Sequence, residues 1–119
     1  MITKNSFHTT AIFDKGRSYY PTHYFVYEGK YIGSFIIMEE TDGECGIWSL
    51  SIKEEYRGQG YGQLMMLELM AHFGDKHLYL YVEDNNSIAH HLYRSVGFRD
   101  FFHSELMEAT CMRWEREYV

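Results

Sequence analysis

The spacing of apolar residues changes twice along this chain, and each change marks a new kind of element. Tyr24-Phe25-Val26-Tyr27 is a dense run of strand-favouring side chains, and Glu28-Gly29-Lys30 follows it as a turn. Tyr31 to Glu39 resumes as a second strand rich in Ile and Phe. Thr41-Asp42-Gly43-Glu44 is the next turn, with Asp-Gly supplying the backbone freedom of a tight hairpin. Cys45 to Ile52 reads as a third strand, so residues 24–52 predict an antiparallel meander. Ahead of it, Phe7–Asp14 has the character of an opening strand. Lys15–His23 has room for a short helix at most.

After Lys53 the period lengthens. Gly58, Gly60 and Gly62 punctuate a loop, and from Gln63 the pattern is helical. Leu64, Leu67, Met70, Ala71 and Phe73 form its expected apolar face, with Gln63, Glu68 and His72 left for solvent. Gly74-Asp75-Lys76 ends this helix. In His77–Glu83, alternation puts Leu78, Leu80 and Val82 on one side of a strand and Tyr79, Tyr81 and Glu83 on the other. Asn85-Asn86-Ser87 offers caps for a second helix. Its register is Ile88, Leu92 and Val96, with Ala89 and Tyr93 alongside, and Gly97 closes it. Phe98–His103 and Leu106–Trp114 read as a final pair of strands. The order is strands, helix, strand, helix, strands: a mixed α/β sheet. No repeat or linker divides residues 1–119, so one domain is expected.

Composition narrows the function. An apolar share of 45% over 119 residues supplies a real core and argues against disorder. The apolar runs are far too short to span a bilayer, and the N-terminus lacks the apolar stretch of a signal peptide. A cytoplasmic protein without membrane partners is therefore the expectation. Two cysteines, Cys45 and Cys111, are too few for a disulfide framework. Net charge is −6 with no cluster of basic residues, which speaks against nucleic acid and would draw in a cationic partner. The seven histidines show no metal-ligand spacing, and neighbours His90 and His91 diverge by about 100° on a helix. No metal site is expected.

Arg57-Gly58-Gln59-Gly60-Tyr61-Gly62 lies between a strand and a helix. A loop with so little side chain can turn successive N–H groups toward one point. The helix N-terminus adds its own partial positive charge, making a site for phosphate or pyrophosphate. A Walker loop would end in Gly-Lys-Ser/Thr, whereas Gly62 is followed by Gln63-Leu64. The dinucleotide fingerprint needs a glycine spacing that Gly58, Gly60 and Gly62 do not meet.

The loop resembles the coenzyme A loop of the Gcn5-related N-acetyltransferases, whose pattern Gln/Arg-x-x-Gly-x-Gly/Ala is met by Arg57, Gly60 and Gly62. Leu50 to Tyr56 is similar to that family's strand and approach to the loop. Asn86-Ser87-Ile88-Ala89-His90-His91-Leu92-Tyr93-Arg94-Ser95-Val96-Gly97-Phe98 resembles its second signature. The likeness is close over residues 50–98 and loose over 31–114.

This resemblance implies a mostly antiparallel mixed sheet flanked by helices, with central strands splayed for acetyl-coenzyme A. It implies that backbone N–H groups of Arg57, Gly58, Gln59, Gly60, Tyr61, Gly62 and Gln63 hold the pyrophosphate. Leu50, Ser51 and Ile52 would pair with the pantetheine arm like an added strand, beside a bulge that opens the slot. A backbone N–H near Ser51 would stabilise the developing oxyanion. Asn86 is the implied side-chain contact to the cofactor, and Tyr93 the general acid near its sulfur. Tyr81 occupies the position where some members carry a glutamate base. Glu83 is the first candidate instead and Glu44 the second, with ordered water an equal alternative.

The implied function is transfer of an acetyl group from acetyl-coenzyme A to a primary amine, on a small molecule or on a protein lysine or N-terminus. The region before Tyr24 is shorter than is usual in the family. The acceptor side is then either open to a large substrate or completed by a second subunit in a homodimer. Tyr19, Tyr20, Tyr24, Phe25 and Tyr27 either line an acceptor pocket or fill the sheet. The competing function is a non-catalytic acyl-coenzyme A binding or protein-interaction module on the same fold.

Overall fold

The predicted meander is present as three antiparallel strands, β2 (Thr22–Tyr27), β3 (Lys30–Glu39) and β4 (Glu44–Ile52). This computed structural model describes residues 6–10, 22–40, 43–74 and 77–115, with side chains described from residue 22 onward. The β2–β3 turn places Glu28 at φ 51° and Gly29 at φ 80°. Two successive left-handed residues give the turn twist that matches a hairpin.

Strand β1 (Ser6–Thr10) pairs with β2, and the rest of the predicted opening strand, like most of Lys15–His23, lies outside the described residues. His23 itself belongs to β2 and not to a helix. After a single 3-10 turn at Glu54–Tyr56 come α1 (Tyr61–Phe73), β5 (His77–Glu83), α2 (Ser87–Ser95), β6 (Arg99–Ser104) and β7 (Ala109–Trp114). The sheet order is β1-β2-β3-β4-β5-β7-β6. Among the described strands only β4 and β5 run parallel, because the α1 crossover between them returns the chain in the same direction.

Register assigns the two faces. Cys45, Leu78 and Trp114 are cross-strand partners, as are Leu80 and Met112, and all are buried. With Phe25, Phe35, Ile37, Ile47 and Val82 they form the core side. Both helices pack there: Phe73 of α1 meets the rings of His23 and Phe35. A Cβ added to Gly62 of α1 would stand 3.2 Å from Leu92 Cδ2 of α2. The opposite face carries Tyr79, Tyr81, Cys111, Arg113 and Phe102, and no helix among the described residues.

Two predicted helix faces are rotated. In α1 the buried residues are Met65, Met66, Leu69 and Met70, while Leu67 and Ala71 point outward. Nine of thirteen α1 positions are apolar by type, so periodicity could not select one stripe. In α2 the inward residues are Ala89, Leu92, Tyr93 and Val96, and Ile88 is 83% exposed. Leu106, predicted to open the last strand, sits in the β6–β7 turn.

Gly46 marks the last parallel pair, opposite Tyr79. A Cβ there would lie 2.7 Å from Trp48 Nε1 and 2.8 Å from Tyr79 Cζ and its hydroxyl oxygen. Gly46→Ala should therefore cost about 1–3 kcal/mol as the two rings are forced apart. Urea denaturation measures this, and an unchanged midpoint would show that the rings yield freely.

Candidate functional site

Parallel pairing between β4 and β5 lasts for three residue pairs, Glu44–His77, Cys45–Leu78 and Gly46–Tyr79, and then stops. The cause lies on the other edge of β4. Ile36 pairs with Trp48 and Ser34 with Ser51, so three steps of β4 oppose two of β3. The extra residue is a bulge, and Ser49 within it adopts φ 52°. A bulge bends and twists its strand. From Ile47 onward β4 swings away from β5, and its β5-facing edge has no strand partner among the described residues.

The gap is a pocket of about 250 Å³. Ile47, Leu80 and Val82 line it from the core side together with Ala89 and Tyr93 of α2. Trp48, Tyr81 and Glu83 line it from the opposite face, and Ser49, Leu50 and Asn86 complete its rim. The pocket thus opens toward both faces of the sheet. Among the described residues Glu83 is the one charged residue on its wall.

The glycine loop continues from the end of β4. Gly58 and Gly60 take φ 75° and 88°, conformations that cost a residue with a Cβ about 1–2 kcal/mol. Arg57 Nε donates to the Ile52 carbonyl at 2.8 Å, and Gln59 Nε2 donates to the Glu55 carbonyl at 3.0 Å. Both long polar side chains are thereby folded back on the preceding backbone. Gly60 is the N-cap of α1, and no side chain caps the helix. The ladder starts at Leu64, whose N–H reaches the Gly60 carbonyl, so Tyr61, Gly62 and Gln63 are the uncapped first turn. Helix α1 begins two residues before its predicted start, which places Gly62 inside it. Edge contacts of Tyr61 with Tyr27 and Tyr56 fix this end of the helix.

Tyr93 is 8% exposed, and burial raises its hydroxyl above the ordinary tyrosine value, because a phenolate there would lose its water. Asn86 caps α2, its Oδ1 accepting the Ala89 N–H at 3.1 Å, which leaves its amide nitrogen to the rim. Glu83 ends β5 and is exposed. Glu44 is held at the closed end by Arg113 Nη2 at 2.7 Å, with His77 Nδ1 at 3.6 Å, and does not line the pocket. On the aromatic face the Tyr79 hydroxyl donates to Glu40, which with burial pushes its titration far upward.

The model of the acetyltransferase (GNAT) family matches residues 3–98 of this sequence. The chain belongs to that family. Its fold is similar to that of a GNAT family acetyltransferase from Elizabethkingia anophelis with acetyl-coenzyme A bound. The TM-score is 0.75 at 12% identity, covering 94% of this chain and 98% of that one. It is also similar to the ribosomal-protein-S18-alanine N-acetyltransferase from Escherichia coli, with TM-score 0.62, 23% identity, and coverage of 80% and 68%. At these identities the likeness is one of fold. A stretch of 55 residues is 38% identical to an uncharacterized protein of Mycobacterium leprae (strain TN). It covers 46% of this chain and 15% of that protein, so the chain spans a small part of that relative's length.

Within this family member, the sequence-predicted residues fall into two adjoining groups. Leu50, Glu83, Asn86 and Tyr93 meet at the pocket, whereas Ser51, Ile52 and Arg57–Gln63 run from its rim to the α1 N-terminus. Phe25, named as an acceptor-pocket or packing residue, is fully buried core, and Tyr24 and Tyr27 are half-buried on β2. Tyr19 and Tyr20 lie outside the described residues. Sequence reading missed Trp48 and Ser49. Nothing in the local pattern of β4 signals a bulge, and a strict alternation would have continued through both. Among the described residues no helix is long and apolar enough to cross a membrane.

Proposed function

We propose that this family member is an acetyl-coenzyme A-dependent N-acetyltransferase acting on a primary amine. The observation that carries the reading is the pocket between splayed β4 and β5, placed beside an uncapped helix N-terminus. The residues present fit the cofactor: the glycine-rich turn keeps side chains clear of the first-turn N–H groups, and the bulge frees one edge of β4. When bound, acetyl-coenzyme A would supply an acetyl group already activated as a thioester.

The N–H groups of Gly58 to Gln63 hold the pyrophosphate, with the α1 dipole behind them; the Arg57 N–H, expected among them, donates instead to the Glu54 carbonyl at 3.2 Å. The free edge at Leu50–Ile52 aligns the pantetheine arm through main-chain hydrogen bonds. A backbone N–H near Ser51 polarises the carbonyl, and Asn86 donates from its uncommitted amide nitrogen. Tyr93, whose hydroxyl burial raises above the ordinary tyrosine value, gives its proton on the core side of the pocket. Glu83, at the opposite mouth, accepts the proton that an incoming ammonium must lose, directly or through water.

Calorimetry with acetyl-coenzyme A should show one site per chain. Absence of binding at millimolar concentration would overturn the reading. Binding without turnover of any amine would reassign the chain to acyl-coenzyme A sensing.

A further inference from the structure

The amine that reaches this pocket must pass the sheet face that carries no described helix, and that face is lined with rings. Trp48 and Tyr81 stand 5.6 Å apart at the pocket wall, and Phe102 of β6 meets Tyr81 edge-on at 6.1 Å. Phe102 is 46% exposed although it faces this cluster. The bulge in β6 between Asp100 and Phe102 accounts for this, because it turns both Phe101 and Phe102 to the same side.

The polar atoms of these side chains point away from the opening, Trp48 Nε1 without a hydrogen-bond partner among the described residues. Tyr79 donates to Glu40. Trp48 Nε1 lies over Gly46 at the closed end, shielded from solvent. The Tyr81 hydroxyl is turned to Cys111, its cross-strand partner. On this side the opening offers ring surface with the Glu83 carboxylate beside it, while Ser49 and Asn86 lie on the rim and Glu83 also borders a neighbouring cavity with Asp84 and Glu108.

Such a wall selects by chemistry. A polyhydroxylated amine would have to give up water for ring faces that offer it no hydrogen bonds. A single ammonium on an aromatic arm satisfies both parts of the wall: the ring packs on Trp48, Tyr81 and Phe102, and the ammonium meets Glu83 and the ring faces. We infer that the acceptor is a small aralkylamine, entering past Phe102 with its amine leading. This assignment rests on the acetyltransferase reading above.

The experiment uses the full chain and its Phe102→Ala and Phe102→Leu variants, first checked for acetyl-coenzyme A binding by calorimetry. Initial rates are then measured with phenethylamine, n-butylamine, spermidine and an aminoglycoside. The expected result is kcat/KM for phenethylamine at least about tenfold above the others. Loss of the Phe102 ring should then cost phenethylamine about tenfold, n-butylamine less than about twofold, and leave cofactor affinity unchanged. Phe102→Leu, which keeps bulk and loses the ring, should fall between. Spermidine or the aminoglycoside turning over as well as phenethylamine would overturn the assignment. So would equal loss for all amines in both variants, or turnover of none. Those results, with cofactor bound normally, leave the acetyl-coenzyme A site standing. No cofactor binding in the parent chain overturns both.

Discussion

Gly60→Glu should weaken acetyl-coenzyme A binding at least about 100-fold, and Gly60→Gln about tenfold. Gly60 is the N-cap of α1 at φ 88°, with no heavy atom within 4 Å of where a Cβ would stand. Space alone would therefore admit a side chain. Either variant strains the turn by about 1–2 kcal/mol and tilts the N–H groups it presents. Only glutamate adds a negative charge where a pyrophosphate should sit. Two like charges about 4 Å apart at an effective dielectric near 20 repel by about 4 kcal/mol, less at this exposed loop once salt screens them. The charge should thus add a further tenfold or more beyond the strain. Calorimetry on both variants separates the effects, and Gly60→Glu binding like the parent would remove the loop from the pyrophosphate site.

Tyr93→Phe should lower kcat about 100-fold while acetyl-coenzyme A affinity stays within about twofold. The ring is buried and sits 6.3 Å from the Phe98 ring, so phenylalanine retains its packing. What is lost is a proton donor, worth about 10²–10⁴ in rate when it acts in the transition state. Burial raises the titration of this hydroxyl, so the acid form persists through neutral pH and is lost only on the alkaline side. Any alkaline fall in kcat due to Tyr93 should accordingly sit above the ordinary tyrosine value and vanish in the variant. Unchanged kcat would leave Tyr93 as a packing residue and remove it from the chemistry.

Much of the fold was legible because local signals there agree with tertiary demand. The Glu28-Gly29 turn, the Leu78-Leu80-Val82 alternation and the Asn86 cap each follow from backbone sterics or strand period, whatever surrounds them. The glycine loop was legible for the same reason, since only residues tolerating positive φ build it. Helix faces were less so. In α1 Met65 and Met66 turned inward and Leu67 outward, although all three are apolar and only the position of the sheet chooses among them. Ile88 of α2 likewise lost its place to Ala89 and Tyr93.

The candidate site divides along the same line. Sequence by itself determined the glycine-rich turn, the capped second helix and the placing of Tyr93 and Glu83 on their elements, because each depends on neighbours within a few residues. The family resemblance implied a bulge and splayed strands, but only the tertiary structure put the bulge at Ser49 and ended the β5 pairing at Gly46. Tertiary structure alone brought Trp48, Tyr81 and Phe102 together, from three strands that helices separate along the chain. A bulge is set by pairing across two strands and a ring cluster by register across three, and neither leaves a mark in the spacing of one segment.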